Sequence, residues 1–350
     1  MQSIAQIETP PHDRNATEQM RAAVLAEPRR IEIRNVPIPR PAEGEVRVRV
    51  EYCGICSSNL SPWAGAPWFS YPFPPGAPGH EASGFIEEIG VGVSNLRIGE
   101  RVATLANQAF AEQLVARAEN VVSISRLPSQ SLFLGEPLGC AINVFKRAQI
   151  RKGDWVAIVG IGFLGAILLQ LCLQKGAQVI AISRRLFALG IATKLGAGHA
   201  LEMTERPSVV TNIRRITSEH LCDVVIEAGG VQSTLDLAGD LCRTRGRLVV
   251  AGYHQNGPRM VNMQHWNWNG LDVINAHERD ELIYIQGMQQ AADMVARGAI
   301  HLEGLITRTF PIQQIEEGFR LAEKRPAGFM KGVVAFGSGS QSLTAPRGIF

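Results

Sequence analysis

The sequence has little excess charge and no concentrated run of one sign. Lysine and arginine together number 35, against 32 aspartates and glutamates, which gives a formal net charge of +3. Without a run of basic residues there is no electrostatic basis for binding a nucleic acid or an anionic membrane. We therefore expect a mixed, solvated surface and neither a nucleic-acid nor a membrane partner.

Signals for export and for membrane insertion are also lacking. Residues 1–20 contain prolines and charges but no apolar segment, so they are expected to form a flexible leader rather than a secretory signal. The uncharged stretch 155–174 is about long enough to cross a bilayer. Its glycines divide it into a buried strand, a tight turn and a buried helix instead. The expected location is the cytoplasm.

Cysteine is scarce, with six residues in the chain. Because cytoplasmic thiols stay reduced, the close pair Cys53 and Cys56 in CGIC suggests metal binding or catalysis before a disulfide. A redox pair would need a thioredoxin-like setting, which the surrounding sequence does not provide. The remaining cysteines lie in apolar segments and are predicted core thiols: Cys140, Cys172, Cys222 and Cys242.

The hydrophobic pattern changes in character along the chain. Up to about Arg147, short apolar runs with strand-like alternation are broken by Gly and Pro, which predicts a β-rich unit. From Trp155, strand-like and helix-like segments alternate in the manner of a parallel sheet with crossover helices. The predicted fold class is therefore α/β, with a β-rich domain beside a doubly wound parallel-sheet domain.

A glycine loop opens the second unit. The segment VGIGFLG has G-x-G-x-x-G spacing between a predicted strand and a predicted helix. In that context the glycines allow the tight turn, the approach of a pyrophosphate and helix–strand packing, while the helix start holds the phosphates. The alternative is a glycine-rich turn with no ligand. The predicted cofactor-binding residues here are Gly160, Gly162, Phe163, Leu164, Gly165 and, after a later strand, Ala228 and Gly229.

The next predicted strand, QVIAISRR, has no acidic residue at its end, where one would accept hydrogen bonds from the ribose hydroxyls of NAD. Ser183, Arg184 and Arg185 occupy this position. A hydroxyl and guanidinium groups suit a 2′-phosphate, so NADP is favoured over NAD. The alternative is that both arginines are solvated charges at a helix start and that NAD binds without the acidic contact.

Thiolate, imidazole and carboxylate donors follow one another in the first half of the chain. CGIC offers Cys56, GHE offers His80 and Glu81, and EPL offers Glu136. Zinc takes these ligand types in a tetrahedral shell, and catalytic sites usually leave one position for water or substrate. The set is therefore a candidate catalytic zinc site.

An ordered set of motifs resembles the zinc-dependent medium-chain dehydrogenase/reductase family, the alcohol and polyol dehydrogenases, over roughly residues 21–336. The motifs are CGIC, GHEASGFIEEIG, IGERV, AFAEQLV, EPLGCAINV, VGIGFLG and GLITRTFPIQQIEEGF. The resemblance implies a GroES-like catalytic domain at 21–148 and 288–337 and a Rossmann NAD(P)-binding domain at 149–287, between the leader 1–20 and a flexible tail at 338–350. It also implies Cys56 and His80 as zinc ligands, Glu81 or Glu136 as the third ligand, and a homodimer or homotetramer.

Departures from the family pattern also carry information. ERVATLANQAFAEQLV lacks the four-cysteine lobe that holds a structural zinc in many relatives, so the resemblance implies one catalytic ion. Members commonly read C-x-[ST]-D-x-H, whereas this chain has Ser58, Asn59 and Ser61 at the last three defined positions. Ser58 can still take the alcohol proton, and Asn59 can hydrogen-bond a ligand histidine more weakly than a carboxylate. The proton path beyond Ser58 stays open.

The activity that the resemblance implies is hydride transfer between NAD(P) and a secondary alcohol of a polyol, sugar or cyclitol, with zinc as Lewis acid. The catalytic residues would be Cys56, Ser58, His80 and Glu81. Substrate contacts are expected from Trp63, His254, His277 and Arg279, each with a packing or loop role as its alternative. The competing hypotheses are a zinc-independent NADPH-dependent enone or quinone reductase of the same fold and a catalytically silent NADP-binding protein.

Overall fold

The computed structural model describes residues 18–336. The predicted leader lies outside the described residues except at its end, where Gln19 and Met20 already belong to the first strand. The predicted tail at 338–350 lies wholly outside them.

The described chain alternates strands and helices after an all-β beginning. The strands are β1 (Gln19–Glu27), β2 (Arg30–Pro37), β3 (Glu45–Gly54), β4 (Ala82–Ile89), β5 (Arg101–Thr104), β6 (Gln113–Arg117), β7 (Val121–Ser123), β8 (Trp155–Val159), β9 (Gln178–Ser183), β10 (His199–Glu202), β11 (Cys222–Glu227), β12 (Cys242–Val250), β13 (Asp272–Asn275), β14 (Ile306–Pro311) and β15 (Lys331–Ala335). The helices are α1 (Leu60–Ala64), α2 (Gly135–Ala148), α3 (Phe163–Gln174), α4 (Leu186–Lys194), α5 (Arg206–Ile216), α6 (Gln232–Leu241), α7 (Met263–Trp268), α8 (Glu281–Ala296) and α9 (Ile315–Lys324).

The β-rich unit consists of a hairpin and a seven-stranded sheet. Among the described strands, β1 and β2 form a ladder only with each other. The larger sheet has the order β14-β15-β3-β4-β5-β7, with β6 also paired to β3. In β3 the valines at 46, 48 and 50 are buried and alternate with more exposed residues, as the sequence pattern predicts. The chain returns at its end to complete this sheet, because β15 pairs antiparallel with β3.

The second unit is a parallel six-stranded sheet in the order β10-β9-β8-β11-β12-β13. Alternate residues of β8 enter different cores: Val156 and Ile158 pack in one cluster, and Ala157 and Val159 in the other. Helices cover both faces, so the strands are apolar on both sides. The predicted doubly wound sheet is confirmed, and so is the predicted division of 155–174 into strand, turn and helix.

Helices α2 and α8 pack against each other where the two units meet. Helix α8 spans the predicted boundary between residues 287 and 288, so the division there falls inside a helix. Within residues 18–336, no helix combines the length and the apolar character needed to cross a membrane.

Strand register brings distant loops to one end of the seven-stranded sheet. In the ladders of β3, Cys53 lies opposite Ala82 of β4, and Gly54 lies opposite Val333 of β15. The residues just after β3, just before β4 and at the start of β15 therefore meet. These are the segments that contain Cys56, His80–Glu81 and Lys331.

Candidate active site

Three donor side chains converge at this sheet end. The ligand atoms of Cys56, His80 and Glu81 all lie within 4.8 Å of one another. Cys56 and His80 are partly buried and Glu81 is fully buried. Cys53, the other cysteine of CGIC, is also fully buried, and burial raises the pKa of its thiol far above the ordinary value. The structure thus separates the two cysteines of CGIC, and Cys56 is the one that joins the donor cluster.

The ring of His80 is oriented by a backbone carbonyl. Its Nδ1 lies 2.9 Å from the carbonyl oxygen of Pro78, so the proton on Nδ1 is donated there. This leaves Nε2 as the free donor atom for a metal, the arrangement seen when a second partner fixes the tautomer of a ligand histidine. Ser58 Oγ lies 3.4 Å from the same Nε2.

Asn59 ties together the two loops that carry the donors. Its Oδ1 accepts a hydrogen bond from the backbone N–H of Cys56 at 2.9 Å, and its Nδ2 donates to the Pro78 carbonyl, also at 2.9 Å. The Nδ2 atom is 3.5 Å from His80 Nδ1. Asn59 Nδ2 and His80 Nδ1 therefore donate to the same carbonyl oxygen. The Pro78 carbonyl orients the ring of His80, and Asn59 helps to hold that carbonyl in place.

A thiol and two carboxyl groups lie near the partly buried imidazole of His80. Burial alone would lower the pKa of His80, but a hydrogen bond with Cys56 and the charges of Cys56, Glu136 and Glu81 outweigh it and raise that pKa to about 10. Several groups that carry negative charge when ionised therefore face one small volume. Such a donor set fits a divalent cation that takes thiolate, imidazole and carboxylate.

Glu81 is held by a lysine that the sequence did not suggest. Lys331 Nζ donates to Glu81 Oε1 at 2.7 Å and lies 2.6 Å from Oε2. The contact to Oε2 is an ion pair without hydrogen-bond alignment, so this buried oxygen has no hydrogen-bond partner among residues 18–336. A buried carboxylate oxygen that accepts no hydrogen bond, beside a thiol and an imidazole, fits a metal ligand.

The carboxylate of Glu136 lies outside the cluster of close donor atoms. Tyr284 of α8 donates to its Oε1 at 2.9 Å. Burial raises the pKa of Glu136, and the nearby charge of Glu81 acts in the same direction. The geometry therefore groups Glu81 with Cys56 and His80, and it leaves Glu136 bonded to Tyr284.

The glycine loop has the shape that its spacing predicts. Gly160 has φ of 108°, and a Cβ there would approach Gly229 N within 2.8 Å, so Ala228 and Gly229 pack directly against the loop. A Cβ on Gly165 would lie 2.3 Å from the carbonyl oxygen of Gly160. Next to Gly162, by contrast, a Cβ would meet nothing within 4 Å. The open space at Gly162 and the start of α3 at Phe163 and Leu164 fit a phosphate group.

The end of β9 presents its three polar residues differently. Ser183 is buried, and its Oγ accepts from the backbone N–H of Arg185 at 3.2 Å. Arg184 is exposed, and its Nη2 donates to Ser233 Oγ at 2.5 Å. Arg185 is partly buried and donates to the carbonyl oxygens of Ile161 and Phe329. Arg184 thus stays open to a ligand, while Arg185 is drawn to the glycine loop.

A buried carboxylate organises the neighbouring loops. Glu227 at the end of β11 accepts from the backbone N–H groups of Gly229 and Gly230 at 2.8 and 2.7 Å. Its other oxygen lies 2.9 Å from His254 Nε2, and Arg259 donates to His254 Nδ1 at 3.0 Å. His254 is therefore engaged in fixing its loop.

Contacts also join the six-stranded unit to the region of the donor cluster. Gln255, next to His254, donates to the carbonyl oxygen of Ser57 at 3.4 Å. Lys331 Nζ lies 5.4 Å from the ring centroid of Phe163, within the range of a cation–π contact. The first residue of α3 therefore lies against the lysine that holds Glu81.

The other predicted substrate residues have different environments. Trp63 is 1% exposed and its ring centroid lies 5.2 Å from that of Phe319, so the packing alternative describes it. His277 and Arg279 are exposed after β13, with the ring of His277 5.7 Å from that of Tyr253. These two side chains remain open to a ligand.

The fold and the site together define a two-domain oxidoreductase in which a dinucleotide loop lies beside a thiolate–imidazole–carboxylate cluster. The profile of the alcohol dehydrogenase GroES-like domain matches residues 42–143, and that of the zinc-binding dehydrogenases matches residues 164–297. The chain belongs to the zinc-dependent medium-chain dehydrogenase/reductase family of alcohol and polyol dehydrogenases, which use zinc and a nicotinamide dinucleotide. The predicted family and fold are thereby confirmed.

Individual relatives align over most of their length. An alcohol dehydrogenase of Moraxella sp. (strain TAE123) is 32% identical over 80% of this chain and 90% of its own. A D-arabitol-phosphate dehydrogenase of Enterococcus avium is 26% identical over 81% and 88%. The solved structure of a putative zinc-binding dehydrogenase from Sinorhizobium meliloti 1021, bound to NADP, has a TM-score of 0.76 and 25% identity over 91% of this chain and all of that one (100%).

Proposed function

We propose that the protein is a zinc-dependent dehydrogenase that interconverts a secondary alcohol and a ketone of a polyol, sugar or cyclitol, with NADP as hydride carrier. The observation that carries the proposal is the contact between the two sites. The glycine loop reaches Lys331 through Phe163, and Lys331 holds the carboxylate of Glu81. Hydride transfer needs the two reacting carbons close together, and these contacts bring the nucleotide loop to the donor cluster.

Cys56, His80 and Glu81 would hold the zinc ion. When bound, zinc supplies a Lewis acid that lowers the pKa of a substrate hydroxyl. The chain contributes the fixed geometry. Pro78 keeps the proton on His80 Nδ1, and Gly54 leaves room for the carboxylate of Glu81. We propose one such ion.

Ser58 is the proposed proton acceptor. Its Oγ lies 3.4 Å from His80 Nε2, so the hydroxyl is beside the position where substrate oxygen would bind. A hydroxyl there can accept the proton of the substrate alcohol and pass it on. Asn59 holds the loop in place through the backbone of Cys56.

NADP is proposed as the preferred coenzyme. The exposed guanidinium of Arg184 has only a hydroxyl, Ser233 Oγ, as its polar contact among the described residues. A 2′-phosphate would give that guanidinium an anionic partner. Glu227, a buried acid of the six-stranded unit, already accepts from the N–H of Gly229 and contacts His254, so its carboxylate is not free for the ribose of NAD.

The substrate class is supported by the polar groups near the cleft and by the relatives. His277 and Arg279 follow β13 at the carboxyl edge of the parallel sheet, where this kind of fold binds its ligands. One relative is named for arabitol phosphate. The zinc-independent reductase is less well supported, because it has no use for the converging Cys56, His80 and Glu81.

We also propose that the protein forms a homodimer or homotetramer. Strand β13 is an edge of the six-stranded sheet, and Val273 on it is 39% exposed. An unpaired edge offers N–H and C=O groups to a second copy. Light scattering on purified protein would report a monomer mass if this proposal is wrong.

The function is tested with Cys56→Ala on metal-replete protein. We expect turnover of a panel of polyols, followed at 340 nm, to be lost, while NADPH still binds. Metal analysis should report zinc in the wild type and strongly reduced zinc in the variant. Cys172→Ala, which removes a buried thiol elsewhere, is the matched control. Retained activity in Cys56→Ala would remove the metal from the mechanism and favour the zinc-independent reductase.

A further inference from the structure

Arg185 bridges the two halves of the molecule. Its Nη1 donates to the carbonyl oxygen of Phe329 at 2.6 Å, and its Nη2 donates to that of Ile161 at 3.1 Å. Ile161 belongs to the glycine loop, and Phe329 precedes β15 of the other sheet. One guanidinium therefore lies where the glycine loop meets the turn before β15.

A second arginine reaches the same turn from the metal side. Arg325 ends α9, and its Nη2 donates to Ser57 Oγ at 3.2 Å. Ser57 directly follows the donor Cys56. The backbone N–H of Phe329 donates to Pro326 at 3.1 Å and closes a tight turn. Arg325 and the carbonyl that binds Arg185 therefore lie at the two ends of one turn. We call Ile161, Arg185, Arg325 and Phe329 the interdomain junction.

Neither arginine of the junction has a carboxylate partner in the part of the chain that the structure describes. Arg185 contacts carbonyl oxygens and Met330 Sδ, and Arg325 contacts the Ala322 carbonyl and Ser57 Oγ. Glu323, two residues before Arg325, is paired instead with Arg29 at 2.7 Å. Burial and then the charge of Arg325 lower the pKa of Arg185. Two neighbouring cations that repel each other and have no carboxylate partner among the described residues make a favourable site for an anion.

The position of the junction indicates which anion. A dinucleotide that binds at the glycine loop and delivers its nicotinamide to the donor cluster extends from the side of Ile161, which Arg185 contacts, towards that of Ser57, which Arg325 contacts. The phosphates lie at the glycine-loop end of that path, at the start of α3. Building on the proposed function, we propose that Arg325, together with Arg185, binds the diphosphate of the dinucleotide from the side opposite the glycine loop.

The test compares Arg325→Gln with Arg297→Gln in the full-length, zinc-loaded protein. Arg297 is exposed and follows α8. It lies two residues before Ala299, whose carbonyl oxygen accepts a hydrogen bond from Gln174. Because Gln174 is the last residue of α3 and the glycine loop precedes the first, Arg297 lies far from that loop. Both substitutions remove one positive charge. Calorimetry measures the affinity for NADPH, for 2′-phospho-ADP-ribose and for adenosine 2′-monophosphate, which lacks the diphosphate.

We expect Arg325→Gln to weaken NADPH and 2′-phospho-ADP-ribose by about tenfold or more, as for loss of a charge-assisted hydrogen bond. Adenosine 2′-monophosphate, zinc content and the unfolding midpoint should be unchanged, and Arg297→Gln should match the wild type throughout. Arg325→Lys should recover part of the affinity. The difference between wild type and Arg325→Gln should shrink at high ionic strength, which a purely structural effect would not do.

Other outcomes overturn the inference and assign the arginine elsewhere. Equal weakening of adenosine 2′-monophosphate would place Arg325 on the ribose phosphate. Unchanged affinity for NADPH with a raised KM for a sugar-alcohol phosphate would place it on the substrate. If the wild type bound neither NADPH nor NADH, the proposed function itself would fail. If the wild type bound NADPH normally and Arg325→Gln bound it equally well, only the inference about Arg325 would fail.

Discussion

Lys331 and Glu81 form a buried ion pair between residues 250 positions apart, with Nζ 2.7 Å from Oε1. The carboxylate of Glu81 is fully buried, and the lysine is nearly so. Burial would lower the pKa of Lys331, but Glu81 and Cys56 outweigh it and raise that pKa. The ammonium group therefore stays charged, and it balances part of the negative charge around the metal position.

Removing this lysine should leave Glu81 as an uncompensated buried charge. We expect Lys331→Met to lower the free energy of unfolding by about 3 kcal/mol in the presence of a metal chelator, the usual cost of breaking one side of a buried pair. Urea unfolding measures it. Lys331→Arg, which keeps the charge, is the control. Identical midpoints for Lys331→Met and the wild type would show that the pair does not stabilise the fold.

Gly54 in CGIC should tolerate no side chain. A Cβ at this position would lie 1.9 Å from Glu81 Oε2 and 2.9 Å from Leu134 Cδ1. We expect Gly54→Ala to cost about 1–3 kcal/mol, as for other overpacked cores, and to weaken zinc binding by displacing Glu81. Gly190→Ala in α4 meets nothing within 4 Å and should be neutral or slightly stabilising. Equal unfolding midpoints and zinc affinities for the two variants would contradict this reading of Gly54.

Tyr284→Phe removes the hydroxyl that donates to Glu136, and it should change both the pKa of Glu136 and the stability of the fold. The hydrogen bond from Tyr284 acts to lower the pKa of Glu136, against the effect of burial. Without it we expect that pKa to rise further and the unfolding free energy at neutral pH to fall by about 1–3 kcal/mol. Chemical denaturation gives the value. The exposed Tyr253 provides a control, since Tyr253→Phe should change stability little.

Coenzyme preference should depend on Arg184. We expect Arg184→Gln to raise the Kd of NADPH about tenfold, because a charge-assisted phosphate contact is lost. The Kd of NADH should stay nearly the same, since NADH has no 2′-phosphate. Quenching of protein fluorescence by each coenzyme measures both values. A wild type that binds NADH more tightly than NADPH would overturn the proposed preference.

The ion pair of Arg21 and Glu112 should make stability depend on pH. Burial tends to raise the pKa of Glu112, but bonds from the side chain and backbone of Arg21 outweigh it and lower that pKa below its ordinary value. A carboxyl whose pKa is lower in the folded state adds stability above its ordinary pKa and loses it as the pH falls through the folded value.

We therefore expect Glu112→Gln to cost about 1 kcal/mol at pH 7, with the difference from the wild type shrinking towards pH 3. Urea titrations at several pH values give the profile. A constant difference across that range would show that the effect is not electrostatic.

The sequence predicted those features whose determinants lie close together in the chain. The glycines at 160, 162 and 165 read as a nucleotide loop because strand, turn and helix follow one another, and the valines of β3 read as a strand because they alternate. The pairing of Cys56 with His80 came from the family resemblance. Its physical cause is the register between Cys53 and Ala82, which no local pattern contains.

For the same reason, the sequence could not predict which residues far apart in the chain contact each other in the fold. Lys331 lies in an apolar strand segment whose neighbour in space is Glu81, and Tyr284 is separated from Glu136 by 148 positions. A lysine at the start of the apolar run KGVVAF was the one signal available, since a buried charge needs a partner. Arg185 looked like a phosphate ligand from its position after β9, but only the tertiary structure shows its guanidinium on two carbonyl groups.

The placement of β15 has a consequence for biosynthesis. Glu81 emerges from the ribosome long before Lys331. During translation the nascent GroES-like segment therefore contains an acid without its counter-ion, and β3 still lacks its neighbour β15. The ion pair that holds this acid can form only after the chain has been made through residue 331, so the donor cluster receives its lysine late in translation.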